Sequence, residues 1–202
     1  MPATHGAVVL AILPLATGAA AALVARERPS TGFWITGILG SAVVIAFALR
    51  EGGGGLHAAD LALLVAVASA AVGYALGARA ASTLGSWQSI SWSLVLCLPV
   101  LLPTAPFTAP GDFRAIPAAS WMGFAYVAIV SQYVGFFAWY RGLAMGGIAR
   151  VGQLQLLQPF MTLVASALLL SEPVGPDTIV FAGVVVGLVA AGTRMRVARA
   201  AS

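Results

Sequence analysis

The stretches "ILPLATGAAAALVARERPS" (residues 12–30) and "LQPFMTLVASALLLSEPVG" (residues 157–175) follow one plan. Each sets a proline near the middle of an apolar run (Pro14, Pro159), continues in small residues, and ends in a turn with a glutamate (Glu27, Glu172). Both matched pairs lie 145 residues apart (159 − 14 and 172 − 27), and each turn leads into a further glycine-rich apolar run. The pattern describes a repeated unit of helix, acidic turn and helix. Whether the runs are helices depends on the solvent around them.

That solvent is lipid. Only 8% of the 202 residues are charged and 60% are hydrophobic, against about 25% charged in a soluble domain. Six runs carry no Asp, Glu, Lys or Arg: 6–25, 31–49, 61–78, 80–111, 115–140 and 151–171. Each offers the roughly 17–25 residues that an α-helix needs to cross hydrocarbon. A shorter run, 178–193, spans if Asp177 sits at one interface and Arg194 snorkels at the other. The expected fold is therefore all-α, a polytopic bundle of seven helices near 6–26, 31–49, 57–78, 84–103, 118–140, 146–171 and 177–195. A transmembrane β-barrel would need segments of about ten residues in strict alternation, and these runs are continuous.

The arginines orient the bundle. With the tail (Arg194, Arg196, Arg199) in the cytoplasm, alternation puts Arg26, Arg28, Arg79, Arg141 and Arg150 inside as well and only Arg50 and Arg114 outside, which satisfies the positive-inside rule. Met1 then lies outside. No basic stripe suggests nucleic acid. The opening "MPATHG" has no positive n-region and Pro14 interrupts the apolar core, which argues against a cleaved signal peptide. A single cysteine, Cys97, excludes an internal disulfide and a multi-cysteine metal site. The glycine run 52–55 is not followed by lysine and reads as a connector. Other breakers cluster at 26–30, 103–117 and 171–177.

If five helices make one repeat, successive copies enter the membrane in opposite directions, because five is odd. The charge count agrees, with Glu27 on the cytoplasmic side and Glu172 on the outer side. Inverted repeats mark secondary transporters, which hold substrate near the midplane between the two copies.

The mid-helix proline, the Gly/Ala-rich half and the acidic turns "ARERPS" and "LSEPVG" resemble the EamA-type drug/metabolite transporter superfamily. The stretch "SQYVGFFAWYRGLAMGGIARVGQLQLLQP" (131–159) is similar to that family's penultimate helix pair. The resemblance implies ten helices in two inverted five-helix repeats, cytoplasmic termini, and a central cavity passing small metabolites by alternating access. On that plan residues 1–50 are the last two helices of a first repeat, 57–195 a complete second repeat and 196–202 a cytoplasmic tail, with three helices missing at the N-terminus.

Candidate solute contacts come from helical spacing. At 100° per residue Gln155, Gln158, Thr162 and Ser166 share an arc of about 80°, beside Gly152 and Pro159 and opposite Gln153. An unpartnered buried amide costs about 1–3 kcal/mol, so this stripe must face other helices or water. It reads either as a cavity wall or as interhelical glue at about 0.6 kcal/mol per contact. Pro159 is expected to kink the helix and free the Gln155 carbonyl. On 118–140 the face with Gln132 and Trp139 suits a solute with polar and apolar parts, and Tyr140 reads as an interfacial anchor. Gln88 and Trp92 share a face with Ser91, where packing and lining are both open. Glycines 73, 77, 183 and 187 read as close-approach surfaces.

No carboxylate falls in the middle of a span, so a buried-acid proton relay has no support. His5 and His57 stand far apart, and neither a metal, a cofactor nor a catalytic set is expected. The leading reading is a plasma-membrane carrier, an exporter of small metabolites or drugs by family analogy. Its partners are a solute and the bilayer, with either a homo-oligomer or the missing helices completing the cavity. The alternatives are a truncated, non-transporting scaffold and an intramembrane enzyme, which would want paired carboxylates or a His/Asp cluster that this sequence lacks.

Overall fold

The computed structural model describes residues 10–50, 58–170 and 175–199, with backbone alone at 58–60, 166, 169, 170 and 199. Among the described residues seven helices longer than a single turn follow one another: α1 (Leu13–Val24), α2 (Thr31–Arg50), α3 (Ala58–Leu84), α4 (Ser86–Thr108), α5 (Ala118–Gly146), α6 (Ile148–Leu170) and α7 (Pro176–Arg194). Among the described residues, five helices are long and apolar enough to cross a membrane: α2, α4, α5, α7 and the Leu61–Leu84 part of α3. α1 is shorter over its described part, and a 3-10 turn at Gln153–Leu157 divides α6.

Two stretches expected as loops are helical. α3 runs to Leu84 and breaks only at Gly85, whose φ of 101° suits glycine. α4 continues to Thr108 through Pro99, Pro103 and Pro106. In water such prolines end a helix, but in hydrocarbon the alternative is unpaired backbone. The Ala109 amide still reaches the Ala105 carbonyl.

The helices belong to two compact units, residues 1–76 with 146–202 and residues 77–145. The first holds α1, α2, α6, α7 and α3 as far as Leu76. Its core gathers Val44 and Phe47 of α2, Leu156 and Phe160 of α6, and Val185 and Val189 of α7. The Phe47 ring lies 5.4 Å from both Phe160 and Phe181. On α2, residues Phe33, Thr36, Gly37, Gly40, Ser41, Val44, Phe47 and Ala48 are buried. This i, i+3, i+4 series forms one inward face. Its glycines admit neighbours: a methyl group at Gly40 would stand 2.6 Å from Leu156 Cδ1, and one at Gly37 2.9 Å from Leu15 Cδ2. Small residues let helices approach closely where lipid supplies no hydrophobic drive.

α2 and α7 run antiparallel and are tied at both ends. At one end Arg50 pairs with Asp177. At the other, Glu27–Pro29 (β1) pairs with Val197–Arg199 (β2) as an antiparallel ribbon, with Glu27 opposite Arg199 and Pro29 opposite Val197. Residues 197–199, expected in a tail, are thus a strand, and this two-stranded ribbon is the departure from an all-helical fold among the described residues.

The 145-residue spacing extends beyond the quoted motifs. α1 begins at Leu13 and the α-helical part of α6 after its 3-10 turn at Gln158, while α2 begins at Thr31 and α7 at Pro176. Side chains keep the same spacing: Thr17 donates its hydroxyl to the Leu13 carbonyl at 2.8 Å, and Thr162 to the Gln158 carbonyl at 3.0 Å. The sequence register looks loose past the acidic turn because residue types there diverge while the element starts hold.

In the second unit Ser91 Oγ and Tyr133 Oη, 2.9 Å apart, join α4 to α5. The Tyr140 ring fills the space beside Gly77, and Ser89 donates to the Gly77 carbonyl at 2.9 Å. Tyr140 is 5% exposed, so it is a packing residue rather than the interfacial anchor expected. The glycine reading holds at Gly77 alone of its four members, since a side chain at Gly73, Gly183 or Gly187 would meet nothing within 4 Å.

Candidate functional site

α6 carries three glutamines within six residues, and its start explains why Glu27 lies where it does. Glu27 is 3% exposed. Its two carboxylate oxygens each accept one backbone N–H, from Ile148 and Ala149, both at 2.9 Å. A carboxylate on the first amides of a helix satisfies orphan donors and meets the positive end of the helix dipole. Gly147, at φ 91°, turns the chain into that helix. The acidic turn of the α1–α2 pair is therefore the N-terminal cap of α6, a role that the sequence reading missed. The signal available was the Gly146–Gly147 pair just before an apolar run.

One turn on, backbone bonding switches to the 3-10 pattern from Gln153 to Leu157, just before Pro159. The Gln155 carbonyl accepts the Gln158 amide in i→i+3 fashion, so the proline does not leave it free as expected. The tightened turn is the local answer to the donor that Pro159 lacks.

The three glutamines of this turn have different environments. Gln153, predicted to point away from the stripe, is the most deeply buried, 1% exposed. Its Nε2 donates to the Phe33 carbonyl at 3.2 Å, and its Oε1 occupies the space beside Gly192, next to Thr36. This amide binds α6 to α2 and α7. Gln155 is half-buried, and its Nε2 reaches Thr17 Oγ1 at 3.4 Å. Its Oε1 is shielded and has no hydrogen-bond partner among the described residues. Gly152 makes that approach feasible, since a methyl group there would lie 2.8 Å from Thr17 Cγ2. Gln158 and Thr162 are exposed on the surface of this unit. The Ser166 side chain lies outside the described residues.

The remaining candidates belong to the second unit. Gln88 is half-buried, with Oε1 folded over Gly85 and no partner for that oxygen among the described residues. Trp92 is 58% exposed. Gln132 is exposed and Trp139 half-buried. Gln132 stands in a segment, Tyr126–Val134, whose backbone bonds in the π pattern. Nothing in the residue types announces that segment, and it invalidates a 100° wheel drawn across it. The structure thus gathers Gln155, Gln158 and Thr162 on α6 and the other four on α4 and α5.

The described residues hold no group of three or more His, Cys, Asp or Glu able to bind a metal ion. What the α6 site offers is neutral hydrogen-bonding capacity inside an apolar bundle. A model of the EamA-like transporter family matches residues 57–191. This chain belongs to that family. A relative from Bacillus subtilis (strain 168), described as the uncharacterized transporter YdeK, is 46% identical over 171 residues, which make up 85% of this chain and 60% of the relative. The EamA-like chain therefore spans about 60% of that relative's length. A protein of known crystal structure shares the fold with a TM-score of 0.75 at 18% identity, over 96% of this chain and 69% of its own. Family and apolar helices together make this a multi-pass membrane protein.

Proposed function

We propose that this EamA-like chain moves a small organic solute across the plasma membrane by alternating access, in the export direction, and that Gln155, Gln158 and Thr162 meet that solute. The observation that carries the reading is the α6 turn itself. A half-buried amide with an unpartnered oxygen beside a proline and a 3-10 break continues into two exposed polar side chains on the same helix. Broken helices lined by amides are where membrane carriers place solutes. The 145-residue spacing of element starts and the antiparallel course of α2 and α7 support an inverted repeat. Eight arginines against two favour a cytoplasmic C-terminus. Gln88, Trp92, Gln132 and Trp139 are assigned a secondary, solute-facing role on the second unit.

The test compares metabolite accumulation in cells with and without the intact gene, and with Gln155→Ala or Gln158→Ala. The reading expects a specific set of solutes to accumulate when the gene is absent and in both variants. Unchanged efflux across a broad panel would overturn it.

A further inference from the structure

The geometry points to a binding site for the phosphate of an anionic phospholipid headgroup on the β1–β2 ribbon. Five arginines with described side chains stand at this end of the first unit: Arg26, Arg28, Arg150, Arg194 and Arg196. The one carboxylate among them, Glu27, is buried, and both of its oxygens are committed to the Ile148 and Ala149 amides. It faces into the fold, and among the described residues none of these arginines forms an ion pair.

The register places two of them together. Arg28 is opposite Ala198, and cross-strand partners share a face. Arg196 lies two residues before Ala198, and its carbonyl continues the ladder by accepting the Ser30 amide at 3.0 Å. Arg28 and Arg196 are therefore diagonal neighbours, about 7–8 Å apart at Cα, on one outer face. Both are exposed. Like charges so placed repel each other unless an anion lies between them. Arg150, half-buried behind the ribbon, donates to the Met195 carbonyl at 3.4 Å, and its Nε has no acceptor among the described residues. Its charge adds to the same unmet demand.

Position selects the anion. The ribbon joins the first residue of one apolar spanning helix, Thr31, to the last of another, Arg194. It sits at headgroup depth. Phosphodiester oxygens of phosphatidylglycerol or cardiolipin are the anions concentrated there, and guanidinium groups bind them in forked pairs. A zwitterionic headgroup presents a phosphate already paired with its own ammonium.

The test measures thermal stability of the detergent-purified protein titrated with cardiolipin, phosphatidylglycerol, phosphatidylcholine or glycerol phosphate. The anionic lipids are expected to raise the melting temperature, and phosphatidylcholine and glycerol phosphate are not. Arg28→Gln with Arg196→Gln should weaken the apparent affinity about tenfold. Arg28→Lys with Arg196→Lys should keep part of it, because an ammonium meets phosphate as a point charge without the fork, and Arg114→Gln should leave it unchanged. Circular dichroism confirms that each variant retains its helix content. Equal stabilisation by phosphatidylcholine, an undiminished response in the double glutamine variant, or the same effect from glycerol phosphate would overturn the assignment.

Discussion

At Gly192 the missing side chain leaves room for the Gln153 carboxamide, and the two residues are best understood together. A methyl group at that position would overlap Gln153 Oε1 and lie 2.8 Å from Thr36 Oγ1. Gly192→Ala should therefore cost about 1–3 kcal/mol through overpacking. Gly187→Ala, five residues earlier on the same helix, meets nothing within 4 Å and should be silent. Melting temperatures in detergent separate them, and equal shifts would refute the pairing. Glu27→Gln keeps one acceptor but turns an NH2 toward a backbone donor, so it should destabilise by about 1.5–3 kcal/mol, read by the same measurement. Neither pairing was legible beforehand. The polar stripe could be drawn on a wheel, but the amide that matters most to packing lay opposite it, and only the neighbouring helices show that Gly192 receives it.

The helices were readable because lipid makes one demand, that a segment be long, apolar and internally bonded. Charge-free runs answer that demand, so 31–49 and 177–195 fall within a residue or so of α2 and α7. The rule also accounts for the errors. Prolines 103 and 106 read as a loop by the logic of water, and in the structure they are carried within α4. The strand at Val197–Arg199 depends on a partner distant in sequence, and the π segment of α5 has no signal in its residue types. The ribbon can be checked directly. In a Cys97→Ser background, Arg28→Cys with Ala198→Cys should cross-link readily under mild oxidation, being register partners. Arg28→Cys with Val197→Cys should cross-link far less, and comparable yields would contradict the register. The Arg50–Asp177 tie at the opposite end is exposed, 58% for each side chain. A double-mutant cycle there should return no more than about 1 kcal/mol of coupling.

For the whole molecule, the proposed solute pathway requires that the amides of α6 face water or a solute rather than acyl chains. The packing of the first unit satisfies the Nε2 groups of Gln153 and Gln155, leaves their Oε1 atoms without a hydrogen-bond partner among the described residues, and leaves Gln158 and Thr162 exposed. Thiol accessibility in membranes decides what they face. In the Cys97→Ser background, single cysteines at Gln158, Thr162 and Val100, the last 70% exposed on α4, would be treated with a membrane-impermeant thiosulfonate reagent. Modification is expected at Gln158→Cys and Thr162→Cys but not at Val100→Cys. A lack of reaction at both α6 positions, with the protein folded and inserted, would contradict the proposed pathway.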